Sequence, residues 1–417
     1  MKISTFTLST LAISIANTAV ASGFEGVTQW NAKHGALGGT GASYVNDSSS
    51  IFFNPAGLAF TEHNDIALHI AIFDMDKDVP VAAADSQHTN DIKHPYRGGF
   101  TGNYRLDDQW VLGYGIFNVG GTNQVYKDIT VGQNNNTLTD DFSSYLNIME
   151  ANLSLGYKID KNWSVGAGLR YTWFASELQS LASVQSSPTM ISGLRSEYKE
   201  LTGHHFGGVR LGIMYRADDN QWGAGFSYRS KVKTDQEGKH HMRVNTPVVS
   251  EYRDQNVKTE SILPEQFSVG VDYRITPDLQ LFGEYTFTRY SDIEKIEFVP
   301  DNLAVAEIAT INTDWKDRHT YKIGSEYSGS SWPVRTGYSY TTQVVPDERA
   351  TSTFSIPAPL HIASIGTGKT FFDNALVLDM TIGYAWYETK NLDNNSTLKG
   401  SYSEKTLWVM ASTKYLF

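Results

Sequence analysis

One short segment imitates a phosphate-binding loop, but its surroundings do not fit. Residues Gly366-Thr367-Gly368-Lys369-Thr370 match the end of the G-x-x-x-x-G-K-T pattern that binds nucleotide phosphates. The pattern requires glycine at position 363, where this chain has Ala363, and a helix should follow it. Phe371-Phe372 and a turn follow instead. The segment therefore does not predict nucleotide binding.

Two adjacent histidine pairs are the remaining candidates for metal chemistry. They are His204-His205 and His240-His241. Adjacent residues of a strand point to opposite faces, so neither pair can chelate a metal unless a loop bends it. The chain has no cysteine and no G-x-S-x-G nucleophile elbow. We therefore predict that the protein is not an enzyme and holds no cofactor and no metal.

Five basic residues are candidates for binding the carboxylate head group of a ligand. Alternation along their segments places them on the face that carries small and polar residues; they are Arg170, Arg210, Arg274, Lys322 and Arg335. Basic groups bind carboxylates through charge-assisted hydrogen bonds. The alternative, which the sequence leaves open, is that these cations pair with acids on the same face. Those acids include Asp272, Glu284, Glu326 and Asp379.

The composition indicates which secondary structure positions these groups and which partners the protein does not bind. The 417 residues include 34 Lys and Arg, 45 Asp and Glu and no Cys, and the formal net charge is -11. An acidic chain lacks the basic face that nucleic-acid phosphates require, so we predict no nucleic-acid partner. The 12% aromatic content and the 35 glycines favour β structure. After the N-terminus no apolar run reaches the ~18 residues that a membrane helix needs.

Apolar residues alternate with small or polar ones through most of the chain. The alternation is clearest in residues 163–173, 267–275 and 376–386. Period two predicts strands with one apolar and one polar face. Aromatic residues lie near both ends of the apolar face, while Gly, Ser and Arg occupy the other face. This distribution is typical of a transmembrane barrel with lipid outside and a polar lumen.

Short and long connections alternate between these strands. Six short ones are rich in turn formers and lie at 107–108, 160–162, 218–220, 276–278, 329–331 and 373–374. Seven long polar stretches lie at 74–95, 120–143, 176–203, 235–262, 291–317, 342–358 and 389–401. Thirteen connections join fourteen strands, an even number as in bacterial outer-membrane barrels. We predict an all-β, 14-stranded antiparallel β-barrel over residues 64–417, located in the Gram-negative outer membrane.

The N-terminus has the features of an export signal. Met1-Lys2 supplies a positive charge, residues 8–15 are mostly apolar, and Ala19-Val20-Ala21 fits a cleavage site. We expect residues 1–21 to be removed. Residues 22–63 then precede the first strand and are Gly-rich and moderately apolar. Because a wall of this size encloses more lumen than its own side chains fill, we predict that they form a plug. A periplasmic docking arm is the alternative.

The chain resembles the FadL/OmpP1/TodX family of outer-membrane transporters for hydrophobic compounds. The resemblance covers essentially all of the chain after residue 21. Its strongest part is the N-terminal hatch, Gly35-Ala36-Leu37-Gly38-Gly39-Thr40-Gly41-Ala42 followed by Asn54-Pro55-Ala56. Further matching segments are Leu263-Pro264-Glu265, Trp315-Lys316-Asp317, residues 321–327, residues 335–338 and Val345-Pro346-Asp347.

This resemblance implies passive uptake of long-chain fatty acids or aromatic hydrocarbons. Substrate would be captured at the outer loops, pass to an internal pocket and leave sideways at an inward kink in the third strand. It implies a hatch or gating role for Gly23, Phe24, Asn54, Pro55 and Ala56. We place the lateral opening at Gly113, Gly115 and Gly120, because glycine within a strand often marks a bulge or bend. The alternative is that inward glycines only leave space in the lumen.

Two other functions remain open. A water-filled porin or a surface adhesin would use the same scaffold, although the plug-length N-terminus and the Gly-rich third strand favour the transporter. An outer-membrane esterase or phospholipase would need a Ser-His pair that nothing in the sequence marks. The expected partners are hydrophobic small molecules, outer-membrane lipid and lipopolysaccharide. We expect a monomer.

Overall fold

The computed structural model shows a closed antiparallel barrel around a folded N-terminal segment. It describes residues 24–25, 31–81, 86–187, 190–245, 251–303, 308–393 and 398–417. The predicted signal peptide, residues 1–21, and the predicted hatch residue Gly23 lie outside the described residues. No described helix is long and apolar enough to cross a membrane.

The predicted fourteen-stranded wall is confirmed. The strands of the described residues are β1 (Asp65–Val81), β2 (Ser86–Thr89), β3 (Tyr96–Arg105), β4 (Trp110–Val131), β5 (Leu138–Lys158), β6 (Trp163–Ser187), β7 (Met190–Arg216), β8 (Trp222–Arg229), β9 (Val232–Val244), β10 (Glu251–Leu263), β11 (Gln266–Thr276), β12 (Leu279–Thr288), β13 (Lys295–Pro300), β14 (Ala309–Asn312), β15 (Arg318–Tyr327), β16 (Val334–Thr341), β17 (Leu360–Phe371), β18 (Leu376–Tyr387), β19 (Lys390–Leu392) and β20 (Gly400–Leu416). Strands β2, β9, β10, β13, β14 and β19 extend the outer hairpins, and the others form the wall. The barrel closes where β1 pairs with β20, from Asp65 opposite Leu416 to Asp78 opposite Ser403.

The two faces of the wall follow the predicted alternation. On β1 the outward side chains of Ile66, Leu68, Ile70 and Ile72 are exposed, while the inward His69 is buried. Lipid solvates the apolar outer face, and the β1–β20 pairing closes the wall so that its first and last strands leave no free edge in the hydrocarbon. Asp74 and Asp76 continue the exposed face of β1, so the strand has left the lipid by this point.

The ranges predicted as long polar loops are corrected by the structure, because much of their length is strand. β4 and β5 remain paired out to Val131 opposite Leu138, and β6 and β7 out to Ser187 opposite Met190. These extensions are mostly polar, so the sequence does not predict them as strands. Outside the membrane both faces of a hairpin meet water, so the backbone ladder continues without an apolar period. The range 342–358 does lack strands and contains the 3₁₀ helix Asp347–Arg349.

The N-terminal segment between residues 31 and 61 packs inside the barrel. It contains helix α1 (Ala32–Ala36), helix α2 (Ser50–Phe53) and the 3₁₀ helix Pro55–Phe60. Asn31 caps α1, since its side chain accepts a hydrogen bond of 3.2 Å from the backbone N–H of His34. The segment is held by hydrogen bonds to the wall, among them Ser364 Oγ to the Gly35 carbonyl oxygen at 2.8 Å. Two further 3₁₀ helices, Asn134–Asn136 and Tyr290–Asp292, lie in outer connections.

Candidate functional site

An apolar cavity lies inside the barrel above the N-terminal segment. It contains about 1020 Å³ of space free of atoms, part of it open to solvent. Its lining comes from the N-terminus, the wall and the outer connections, and includes Phe24, Leu146, Phe174, Ile293 and Phe354. Moving apolar surface out of water is favourable by ~25 cal/mol per Å². The cavity is therefore suited to a hydrocarbon chain.

A second, polar cavity adjoins it, with about 540 Å³ of space free of atoms, part of it open to solvent. Phe24 lines the apolar cavity and its neighbour Glu25 lines the polar one, so this dipeptide stands between the two. The charged residues that line the polar cavity are Glu25, Arg210, Arg229, Glu284, Arg318 and Lys322. All of these are buried. Charges taken out of water need partners of opposite sign, so the ion pairs around this cavity decide what else it can hold.

The ion pairs around the polar cavity leave an excess of positive charge. Glu150 accepts from Nε of both Arg170, at 2.8 Å, and Arg210, at 3.0 Å, and Glu284 pairs with Lys322 at 2.7 Å. Glu25 is shared between Arg229 and Arg318. Within this described network three carboxylates therefore face five basic groups. A buried surplus of cations favours an additional anion.

One acid of this network, Glu25, belongs to the dipeptide Phe24–Glu25. Its Oε2 accepts hydrogen bonds from Arg318 Nη2 at 3.0 Å and from the Tyr290 hydroxyl at 3.3 Å. Burial, and next to it the Glu25 carboxylate, raises the pKa of the Tyr290 phenol well above its ordinary value, so the hydroxyl stays a donor. The ring of Phe24 packs against Tyr290 and Trp315, with centroid distances of 5.7 and 5.5 Å.

The third wall strand, β4, changes partner along its length. Its ladder with β3 runs from Val111 opposite Arg105 to Phe117 opposite Gly99. Beyond Phe117 the register with β5 shifts between Asn118 and Gly120. Here the N-terminal dipeptide takes the place of β3: Gly120 bridges to Glu25, and the Gly121 N–H donates to the Phe24 carbonyl oxygen at 2.7 Å. The edge of β4 that β3 leaves is thus covered by residues 24–25.

The three glycines predicted at a lateral opening occupy two different environments. Gly113 and Gly115 lie in the regular β3–β4 ladder and face the N-terminal segment, where a side chain at either position would collide with Ile51. Gly120 lies at the register shift, and a Cβ there would collide with the Phe24 carbonyl oxygen. The first two therefore make room for the plug, and only Gly120 touches the dipeptide at the strand edge.

Asn54-Pro55-Ala56 anchors the N-terminal segment to the wall. The fully buried Asn54 donates through Nδ2 to the Ala42 carbonyl oxygen at 2.7 Å, and the carbonyl oxygens of Ile213 and Phe226 both lie 3.2 Å away. Its Oδ1 accepts from the Ala56 N–H at 3.1 Å. The Ala56 carbonyl oxygen in turn accepts from Ser164 Oγ of β6 at 2.9 Å.

The remaining predicted cations lie apart from the polar cavity. Arg335 pairs with Glu326 and Asp379 at 2.5 Å each. Arg274 is exposed near a short turn and lies 3.4 Å from Gln280. Arg170 and Arg210 do meet, at Glu150, and Arg210 and Lys322 both line the polar cavity. Pairing with acids, the alternative that the sequence left open, is thus seen for each of the predicted cations except Arg274.

Sequence reasoning missed several charged residues of this network, namely Glu25, Glu150, Arg229 and Arg318. Arg318 precedes Lys322 by four positions on the same face of β15, directly after the predicted loop 291–317, so the alternation that places Lys322 in the lumen also places Arg318 there. Glu25 carried no such signal, because only the folded N-terminus brings it to Arg318, 293 residues away.

The catalytic motifs do not assemble into a site. Residues 366–370 lie in extended β17, so they form no phosphate loop. Among the described residues no group of three or more His, Cys, Asp or Glu side chains is placed to hold a metal ion.

Comparisons with known proteins agree with this architecture. Residues 12–417 match the family described as "Outer membrane protein transport protein (OMPP1/FadL/TodX)". The long-chain fatty acid transport protein of Salmonella typhi is 24% identical over 84% of this chain and 83% of its own length. The protein of the same name from Escherichia coli O6:H1 is 24% identical, and that match covers 50% of this chain and only 52% of the relative.

Solved structures share the fold. A Pseudomonas aeruginosa FadL homologue gives a TM-score of 0.77 at 16% identity, over 94% of this chain and 99% of that one. The P. putida toluene transporter TodX gives 0.76 at 16% identity over the same shares. At this identity the likeness concerns the fold, whereas the family match spans nearly all of the sequence. The chain therefore belongs to the OMPP1/FadL/TodX family of outer-membrane transport proteins.

Proposed function

We propose that the protein is a passive importer of hydrophobic compounds, most of all long-chain fatty acids, which it captures at the outer loops and releases sideways at the third wall strand. One observation carries the proposal: an apolar cavity adjoins a buried network in which basic groups outnumber carboxylates. A fatty acid has the matching chemistry, with a hydrocarbon chain and one carboxylate.

The apolar cavity supplies the affinity for the chain. Each buried CH₂ group contributes about 0.8 kcal/mol, so a long chain binds without any specific contact. The head group then decides the orientation, because a carboxylate is stabilised beside the surplus cations and destabilised in the apolar cavity. Arg229 and Arg318 are the best candidates for binding the substrate carboxylate, since they already bind the carboxylate of Glu25.

The lateral exit depends on the dipeptide Phe24–Glu25. It covers the free edge of β4 at Gly120 and Gly121, and its acid is held by the cations that a substrate carboxylate would bind. A substrate carboxylate therefore competes with Glu25. When the substrate carboxylate displaces Glu25, the dipeptide loses its ion pairs and the β4 edge is uncovered. The hydrocarbon chain of the substrate can then pass between β3 and β4 into the membrane.

Further parts of the proposal concern boundaries and partners. Residues 1–21 are removed on export, residues 22–63 form the plug and residues 64–417 form the wall. The exposed apolar face meets membrane lipid and, in the outer leaflet, lipopolysaccharide. The transporter acts as a monomer. Relatives named as long-chain fatty acid transport proteins support the choice of fatty acids.

The test compares ligands that differ only in charge. Dodecanoate and its methyl ester are offered to the detergent-purified protein, and binding is measured by native mass spectrometry. We expect the acid to bind about tenfold more tightly, which corresponds to ~1.4 kcal/mol. The variant Arg318→Gln should lose most of this preference, while Arg289→Gln, which alters an ion pair with Glu265 outside the cluster, should keep it. Equal binding of acid and ester, or tighter binding of toluene, would favour an aromatic-hydrocarbon importer. An empty lumen with steady large conductance would indicate a porin.

A further inference from the structure

A further buried ion pair lines the apolar cavity, and neither of its members takes part in the ion pairs of the cationic network. Lys77 of β1 and Glu404 of β20 face each other across the strand ladder that closes the barrel. Both side chains are buried, at 1% and 4% exposure, and both line the apolar cavity. Lys77 follows Asp74 and Asp76 along β1, where the outer face has already turned polar, and Glu404 lies opposite it on β20.

The two side chains of this pair are not in hydrogen-bonding contact, unlike those of the other buried pairs described above. The nearest distance between Lys77 Nζ and Glu404 Oε2 is 4.0 Å, which is too long for a hydrogen bond. Lys322 and Glu284, in contrast, are 2.7 Å apart, and Arg170 and Glu150 are 2.8 Å apart. Lys77 donates instead to the Phe354 carbonyl oxygen at 2.9 Å. Among the described residues Glu404 Oε1 has no hydrogen-bond partner.

The two tyrosine hydroxyls that interact electrostatically with Glu404 have other hydrogen-bond partners. Tyr126 donates to Gln124 at 3.4 Å, and Tyr387 is hydrogen-bonded to Ser355. A buried polar atom without a partner costs about 1–3 kcal/mol, and a well-packed apolar pair would be no less stable than an ion pair here. Beyond its bond to Phe354, the Lys77 ammonium keeps further N–H donors, and the Glu404 Oε1 acceptor has no partner among the described residues. A ligand that completes both groups would offset this cost.

The chemistry of the pair selects the ligand group. Lys77 only donates and Glu404, when ionised, only accepts, so the completing group must both accept and donate. A hydroxyl group does both with one oxygen. The gap of 4.0 Å is shorter than two hydrogen bonds of about 2.8 Å placed end to end, so a single oxygen can contact both side chains. A carboxylate would be repelled by Glu404, and a plain hydrocarbon would leave both groups unsatisfied.

We propose that Lys77 and Glu404 form a hydroxyl-binding site in the apolar cavity, so that the transporter recognises long-chain alcohols and hydroxylated lipids in addition to simple fatty acids. The inference rests on the proposed function only in that the cavity admits hydrophobic substrates. It assigns the lumen two separate polar contacts, one for a carboxylate at the cationic network beside the polar cavity and one for a hydroxyl at Lys77 and Glu404 in the apolar cavity.

The test uses 1-dodecanol and its methyl ether, which differ in whether the oxygen can donate a hydrogen bond. We expect the purified wild-type protein to bind the alcohol about tenfold more tightly, since hydrogen bonds to charged groups contribute about 1.5–3 kcal/mol. In the double variant Lys77→Met with Glu404→Leu, the two ligands should bind within about twofold of each other, while ether binding is retained. Glu404→Gln, which keeps an oxygen acceptor without the charge, should give an intermediate ratio.

A matched control makes the same changes, Lys258→Met with Glu237→Leu, in an exposed pair of β10 and β9 whose side chains are 2.9 Å apart; it should keep the wild-type ratio. Retained heat-modifiable mobility in electrophoresis shows that each variant is folded. Equal binding of alcohol and ether by the wild type overturns the proposal, and so does a preference that survives in the double variant. Because the dodecanoate and methyl ester pair is measured on the same preparations, failure of the carboxylate site is distinguished from failure of the hydroxyl site.

Discussion

Glu25 and Gly120 form a backbone bridge that joins the N-terminal segment to the third wall strand. The bridge lies where β4 has left β3, and it places the Glu25 carboxylate among buried arginines. One short contact thus connects the strand edge, the cationic network and the boundary of the apolar cavity. The first two predictions test its two ends.

Replacing Gly120 by valine should release the dipeptide from β4. A Cβ at this position collides with the Phe24 carbonyl oxygen, so the bridge cannot form. We expect a higher rate of fatty-acid transfer from the protein into lipid vesicles, measured with a fluorescent long-chain acid. Gly283→Ala is the control, because the nearest atom to its added Cβ, in Val271, is 3.8 Å away. An unchanged transfer rate in Gly120→Val would argue against an exit at this strand edge.

Replacing Glu25 by glutamine should strengthen the binding of external carboxylates. The variant removes the internal anion that competes for Arg229 and Arg318. We expect dodecanoate affinity to rise about threefold to tenfold, as measured by isothermal titration, with no change for the methyl ester. Glu62→Gln, in the exposed link after the 3₁₀ helix Pro55–Phe60, is a neutral control. A fall in dodecanoate affinity would mean that Glu25 supports the site rather than competing for it.

Replacing Asn54 by alanine should loosen the plug without unfolding the wall. The change removes hydrogen bonds to Ala42 and to wall carbonyls, at a cost of about 2–4 kcal/mol. We expect faster hydrogen–deuterium exchange in residues 31–61 and unchanged exchange in β11 to β18. The exposed Asn391→Ala should match the wild type. If plug exchange is unaffected, the anchoring contacts lie elsewhere in the segment.

Deleting residues 22–60 should open the lumen. The segment fills the barrel interior with buried side chains such as Leu37, Ile51 and Leu58, so its removal leaves a water-filled passage. We expect ion conductance in planar bilayers to rise sharply over the wild type, while Asn54→Ala should give at most brief openings. A deletion variant that inserts as a barrel but conducts no better would contradict the plug.

The sequence alone determined the barrel. Period-two alternation reports which face meets lipid, and it does so strand by strand because the bilayer acts on each strand separately. Turn-forming residues marked the short connections for the same local reason. Where water lies on both sides, as along β6 and β7 beyond the membrane, alternation disappears, and the sequence predicts loops where the structure has strand extensions.

Tertiary structure decided the site. Alternation placed Arg170, Arg210 and Lys322 inside the barrel, but only the folded chain shows that the two arginines share Glu150 while Lys322 pairs with Glu284. Lys77 and Glu404 are likewise far apart in the sequence, by 327 positions. They become neighbours only because β1 pairs with β20 where the barrel closes. Ion pairing and cavity shape depend on distances across the lumen, and strand periodicity carries no information about what lies opposite.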